Sequence, residues 1–114
     1  KYNFNTFSMS VGICRYNGGG MMQLPHAIPD DGLLDVTIIK KVGLGTLLAQ
    51  LRNLYTGQFV KHPKVATFRA GHVHIDHRNN KFLMEADGES LGHGPFRVSV
   101  VPGALRVVVN QTTF

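Results

Sequence analysis

The chain has 114 residues, 43% of them apolar and 17% charged, the composition of a globular domain, which excludes a disordered or fibrous chain. That length holds one hydrophobic core but is short for a complete two-substrate enzyme, and no apolar run approaches the roughly 20 residues of a membrane-spanning helix. Twelve Lys/Arg against seven Asp/Glu give a formal charge of +5, which favours phosphates, acidic lipid surfaces or nucleic acid as partners.

Lys1-Tyr2-Asn3-Phe4-Asn5 reads as strand from the first residue, with no initiating Met and no signal-peptide pattern. We therefore expect a piece of a longer polypeptide whose remainder lies upstream. From Phe4 to Tyr16 the residues alternate, with Phe7, Met9, Val11 and Ile13 on one face and Ser8, Ser10, Gly12 and Cys14 on the other. The second face is small, which would let another group approach the backbone closely. The lone Cys14 lies inside this alternation, so a buried thiol in a reducing compartment, the cytoplasm, is expected. Asn17-Gly18-Gly19-Gly20 breaks the strand, and Pro29-Asp30-Asp31-Gly32 leads into a second strand, Leu33 to Lys41.

Leu44, Leu47, Leu48, Leu51, Leu54, Tyr55 and Phe59 recur at helical spacing and predict one amphipathic helix, about 44–59. It is read as covering one face of a sheet, a lipid-facing or partner-binding helix being the alternative. Strand patterns resume at Val65 to Arg69, at Val73 and Ile75, and at Phe82 to Ala86. Phe96 to Val101 and Ala104 to Val109 are two closing strands joined by Pro102-Gly103. The expected fold is mainly β, an antiparallel sandwich or barrel-like domain with one main helix, in a single domain over 1–114.

Six of the seven acids fall into two groups, Asp30, Asp31, Asp35 and Glu85, Asp87, Glu89, and acids concentrated in a basic chain are candidates for metal or proton chemistry. The first group sits on a turn that could aim carboxylate and carbonyl oxygens at magnesium or calcium; equally, Asp30 or Asp31 could simply cap that turn. In the second group the three carboxylates alternate and could share one side of the chain. One could accept a hydroxyl proton while another orients a phosphate-bound metal; the plain alternative is an Asp-Gly hairpin turn with solvated acids. The glycines of Asn17 to Gly20 could admit an anion or form only a tight turn. His72-Val73-His74-Ile75-Asp76-His77 has the look of a zinc hydrolase motif. With only His93 downstream to complete a ligand set, it is read instead as a solvated strand face.

Taken in order, Asn17-Gly18-Gly19-Gly20-Met21, Pro25-His26-Ala27, Asp30-Asp31-Gly32-Leu33-Leu34-Asp35-Val36 and Asp87-Gly88-Glu89 resemble the C-terminal region of the bacterial diacylglycerol kinase and sphingosine kinase family. The resemblance implies a two-domain, ATP- and magnesium-dependent lipid kinase whose N-terminal domain carries Gly-Gly-Asp-Gly-Thr, a motif this sequence lacks. It implies that Asp87 is the general base, that Glu89 helps organise catalytic magnesium, and that Asp31 holds a structural magnesium with the carbonyls of Ile28 and Leu33. Gly18, Gly19 and Gly20 would border the cleft between domains. The partners implied are the chain's own N-terminal domain and a lipid at a membrane surface, on a cytoplasmic, peripherally bound protein, with a homodimer left open. The isolated chain is expected to be inactive. Two other readings compete: a non-catalytic β-module, and a zinc hydrolase using His72, His74, Asp76 and His77. No basic-aromatic stripe points to nucleic acid.

Overall fold

Leu34 to Ile38 are all buried, at 4–5% exposure, although Asp35 and Thr37 among them are polar. A strand buried on both faces must be central, and in the computed structural model, which describes residues 2–77 and 82–108, it is. Strand β2 (Leu34–Lys40) pairs antiparallel with β1 (Thr6–Gly12) on one side and with β3 (Val65–Ala70) on the other, in the order β1-β2-β3. Two antiparallel pairs complete the sheets: β4 (His72–Ile75) with β7 (Phe96–Ser99), and β5 (Leu83–Ala86) with β6 (Glu89–His93). With α1 (Leu44–Thr56), the one α-helix among the described residues, the architecture is mainly β and antiparallel, as the alternating patterns predicted.

The register of the three-stranded sheet sorts its two faces. Met9, Ile38 and Ala66 form one cross-strand row and Val11, Val36 and Phe68 the next, so this face is apolar; Tyr2 and Phe4 pack against Phe68 with their rings tilted. On the other face, Ser10, Thr37 and Thr67 form a row, and Gly12, Asp35 and Arg69 the next. That polar face continues into Ile39 and Val65, which share a small cleft of about 40 Å³ with Thr46, Leu47, Gln50 and Leu54 of α1 and with Phe59. The helix thus covers the apolar end of this face and leaves the polar end to the loops.

Several sequence expectations need correction. The first strand is shorter than Phe4 to Tyr16, since it ends at Gly12. Cys14 lies beyond it and is exposed, so the thiol is not buried. Phe7 sits where the register slips between Thr6 and Ser8 and is 57% exposed. The small face does admit a close neighbour: a Cβ on Gly12 would lie 3.0 Å from Leu24 Cδ1. The helix stops at Thr56 because Gly57 turns left-handed (φ 77°), and Phe59 belongs to a short 3-10 turn, Gln58–Lys61. A β-carbon on Gly57 would meet Met22 Sδ at 2.8 Å and Pro25 Cβ at 2.9 Å, so the loop 22–25 packs directly on the end of the helix. Only part of the apolar stripe faces inward: Leu44, Leu48, Leu51 and Tyr55 are exposed.

Residues 104–108 form no strand and are exposed, their alternating apolar side chains finding no sheet edge among the described residues; Val109, like Lys1, lies outside those residues. The Pro102-Gly103 turn is present, with Gly103 at φ 67°. Strand β6 escaped the sequence reading because Ser90-Leu91-Gly92-His93 carries one large apolar residue and no alternation.

Candidate functional site

The polar end of the central sheet is roofed by the segment 15–33, and a few hydrogen bonds hang that segment on the strands. Gln23 Oε1 accepts from Ser10 Oγ (2.9 Å) and from Asn17 Nδ2 (3.1 Å), and the Leu24 amide donates to the Arg15 carbonyl (3.1 Å). Arg15 Nε donates to the Ala27 carbonyl at 3.2 Å. Met22 N donates to the Leu54 carbonyl at 2.8 Å, tying the same loop to α1. Beneath lies an open cleft of about 610 Å³ whose lining includes Arg15, His26, Ile28, Asp35, Thr67 and Arg69.

Buried Asp35 and exposed Arg69 are cross-strand neighbours that both line this cleft. Arg69 Nε donates to Asp35 Oδ1 at 3.0 Å, and its Nη2 donates to the His26 carbonyl and lies 3.7 Å from Asp31 Oδ2. The hydrogen bond to Asp35 raises the Arg69 guanidinium above its ordinary range, with the charges of Asp35 and Asp31 acting in the same direction and desolvation opposing them. One side chain therefore joins the Asp31 turn, the 25–28 loop and the sheet. Two carboxylate oxygens in this group, Asp31 Oδ2 and Asp35 Oδ2, are buried and accept no hydrogen bond.

The Asp31 turn is compact. Its amide donates to the Ile28 carbonyl (3.3 Å), and its Oδ1 accepts from the Leu33 amide (2.9 Å). The capping role weighed for Asp31 is thus real, and it uses only one of the two carboxylate oxygens. The Ile28 carbonyl and the Leu33 amide are brought to Asp31. Carboxylate and carbonyl oxygens are the donors a hard cation takes, and Asp31 Oδ2 accepts no hydrogen bond among the described residues, its charge partner being the Arg69 guanidinium at 3.7 Å. Asp30 is exposed and turned to no partner given by a side-chain hydrogen bond among the described residues.

Asn17 and Met21 form an isolated bridge across Gly18, Gly19 and Gly20, whose φ values are 32°, 61° and 86°. No atom lies within 4 Å of a β-carbon built on any of the three, so the glycines serve the left-handed backbone of a tight turn and not close packing. The turn is exposed and flanks the loop that roofs the cleft.

Asp87 and Gly88 form the two-residue turn between β5 and β6, with φ values of 51° and 84°, both left-handed as a type I′ hairpin turn requires. Asp87 and Glu89 are exposed. Ala86 pairs with Glu89 and Glu85 with Ser90, so Glu85 and Glu89 project from opposite faces of the hairpin. The expectation that Glu85, Asp87 and Glu89 share one side fails because the turn reverses the chain between them. No hydrogen bond or ion pair among the described residues joins Asp87 or Glu89 to the Asp31 turn or to the glycine turn.

His72 and His74 are exposed on β4 with Val73 and Ile75 half-buried, as the alternation predicted, and His72 Nδ1 meets Ser99 Oγ. No group of three His, Cys, Asp or Glu side chains able to hold a metal forms among the described residues. Arg15 and Arg69 were missed in the sequence, because a single arginine in a strand pattern reads as a solvent-facing residue; only the β2–β3 register reveals that Arg69 faces Asp35.

Antiparallel sheets with one helix among the described residues define the chain as a β-sandwich-like domain. It belongs to the family described as the YegS C-terminal NAD kinase beta sandwich-like domain, which it matches over residues 1–109. It is similar to a protein of Mycobacterium tuberculosis named diacylglycerol kinase, with 34% identity over 97 residues, covering 85% of this chain and 31% of that protein. It is also similar to a protein of Xanthomonas oryzae pv. oryzae named probable lipid kinase YegS-like, with 35% identity over 101 residues, covering 88% of this chain and 32% of that protein. A Stenotrophomonas maltophilia protein of the same name is 33% identical over 102 residues, again covering 88% of the chain and 32% of the relative. The chain thus spans about a third of the length of these relatives.

Proposed function

We propose that the chain is the C-terminal domain of a lipid kinase that transfers the γ-phosphate of ATP to the hydroxyl of diacylglycerol or a related long-chain, sphingoid-type lipid. The observation that carries this reading is the Asp87-Gly88 turn: a carboxylate exposed on a tight, left-handed hairpin, in a family whose similar members are named for lipid phosphorylation. A two-residue turn fixes the backbone of its first residue, so the carboxylate is held out from the domain at little further entropic cost, the pre-organisation a general base needs.

In this reading an upstream domain binds ATP and docks against the present one. Asp87 takes the proton of the lipid hydroxyl as that oxygen forms its bond to the γ-phosphorus, the bond to the β,γ-bridging oxygen breaks, and ADP leaves. Glu89, two residues on, helps organise the cation-bound phosphates, and the turn of Gly18, Gly19 and Gly20 borders the cleft between domains. Magnesium, held by Asp31 with the carbonyls of Ile28 and Leu33, would supply fixed positive charge beside the loops of the site. Asp31 Oδ2, which accepts no hydrogen bond among the described residues and meets Arg69 only at a long 3.7 Å, supports that role. Arg69 steadies both the Asp31 turn and the His26 carbonyl. Because phosphoryl transfer is mostly positioning and charge stabilisation, neither domain alone is expected to be active.

The test is phosphate transfer from labelled ATP by the full-length parent protein, with magnesium, across diacylglycerols and sphingoid bases. Label in at least one lipid is expected. If no lipid is labelled, a non-catalytic β-module is the better reading.

A further inference from the structure

The outer face of α1 is apolar and uncovered. Leu44, Leu48, Leu51 and Tyr55 are 73%, 65%, 52% and 53% exposed, and their spacing of four, three and four residues sets them along one side of the helix. Thr46, Leu47, Gln50 and Leu54, on the adjoining side, line the small cleft shared with Ile39 and Val65 of the sheet. The apolar surface of the helix therefore extends beyond the part that the fold of the domain covers.

The charge along the chain that carries that face has one sign. From Val36 to Ile75 there is no Asp or Glu, while six of the chain's twelve Lys and Arg fall in this stretch. Lys41 lies just before the helix, Arg52 on it and Lys61 in the turn after it, all three exposed. An exposed apolar stripe framed by cations without a single acid is the complement of an anionic bilayer surface, where leucines and a tyrosine enter the acyl boundary and cations meet lipid phosphates. A second copy of this acid-free helix would offer no such charge complementarity, since it sets two cationic edges against each other.

We infer that α1 is the membrane-docking element of the domain, laid in the plane of an anionic bilayer through Leu44, Leu48, Leu51 and Tyr55 and held there by Lys41, Arg52 and Lys61. This deepens the kinase reading, on which it rests for its purpose: a soluble protein must meet its acceptor at the surface where that lipid lies. It does not rest on that reading for its test.

The experiment is co-sedimentation of the full-length parent protein with phosphatidylcholine vesicles containing about a third phosphatidylglycerol, and with pure phosphatidylcholine vesicles. Activity is followed in parallel on vesicle-borne diacylglycerol and on a short-chain, water-soluble diacylglycerol. Replacing Leu48 and Leu51 by Gln should lower partition onto the anionic vesicles at least about tenfold. It should depress phosphorylation of the vesicle-borne acceptor and leave that of the soluble one unchanged. The pair Lys41→Gln and Arg52→Gln, which leaves the stripe intact, should lower partition by roughly fivefold per cation on anionic vesicles and little on neutral ones. Wild-type protein that fails to bind anionic vesicles overturns the inference. So does a Leu48→Gln, Leu51→Gln protein that binds them as well as wild type, including one in which the change only dissociates a dimer or loosens the upstream domain. Vesicle binding that falls as expected in a parent that phosphorylates neither acceptor supports the docking surface and sinks the kinase reading.

Discussion

At the scale of single residues, the side chain that organises the site is Arg69. Its guanidinium reaches Asp35 through Nε and the His26 carbonyl through Nη2 at once, a fork that an ammonium cannot reproduce. Arg69→Lys and Arg69→Leu in the parent protein are both expected to lower the thermal midpoint, Leu more than Lys, because a buried Asp35 loses its cation. Unchanged midpoints for both would show that the brace is idle. Asp31 offers a second test. With ATP absent, magnesium should raise the thermal midpoint of the parent, by the equivalent of about 2.7 kcal/mol at a hundredfold excess over its dissociation constant, and Asp31→Asn should abolish that rise. A wild-type midpoint indifferent to magnesium argues against a cation on this turn. The sequence pointed to Asp31 and Asp87 because acids are scarce in a basic chain and sit next to glycines. It was blind to Arg69, whose partner lies 34 positions away, and to the lone oxygen left over on Asp31, which depends on where Leu33 donates its amide.

At the scale of elements, the site loops owe their position to the end of α1. Gly57 is both left-handed and pressed against Met22 and Pro25, so Gly57→Ala combines a backbone cost of about 1–2 kcal/mol with an overpacking cost of about 1–3 kcal/mol. Gly19→Ala, at φ 61° in open space, should cost only the backbone term, about 1–2 kcal/mol. Thermal unfolding of the two variants should rank Gly57→Ala clearly lower; equal losses would mean that the contact of helix end and loop adds nothing. The central strand, the helix and the Asp-Gly turn were legible because each carries a strong local signal: a run rich in Leu, Val and Ile behind a Pro-Asp-Asp-Gly break, a 3.6-residue period, a dipeptide made for left-handed backbone. The helix end was misjudged by three residues because Phe59 continues the period beyond a glycine that breaks it. The closing strand over 104–109 was overcalled because alternation signals a strand only where an edge exists to receive it.

At the scale of the whole molecule, the chain spans about a third of its relatives, and the residues proposed for catalysis occupy separate loops, the Asp87 hairpin and the segment 17–33. On the proposed reading an upstream domain completes the site, so the isolated domain is expected to transfer no phosphate. The fold class was readable from alternation alone, whereas the pairing of β4 with β7, across some 20 residues of intervening chain, was not, because nothing local encodes which distant edge a short strand joins. The central claim is that Asp87 acts as the proton acceptor in lipid phosphorylation, and the measurement that bears on it most directly is the rate of phosphate transfer by the full-length parent against Asp87→Asn, with thermal unfolding of both. Asparagine accepts the left-handed turn that Asp87 occupies, so the midpoints should coincide while the rate falls at least about 100-fold. A variant as active as wild type, folded and equally stable, would contradict the assignment.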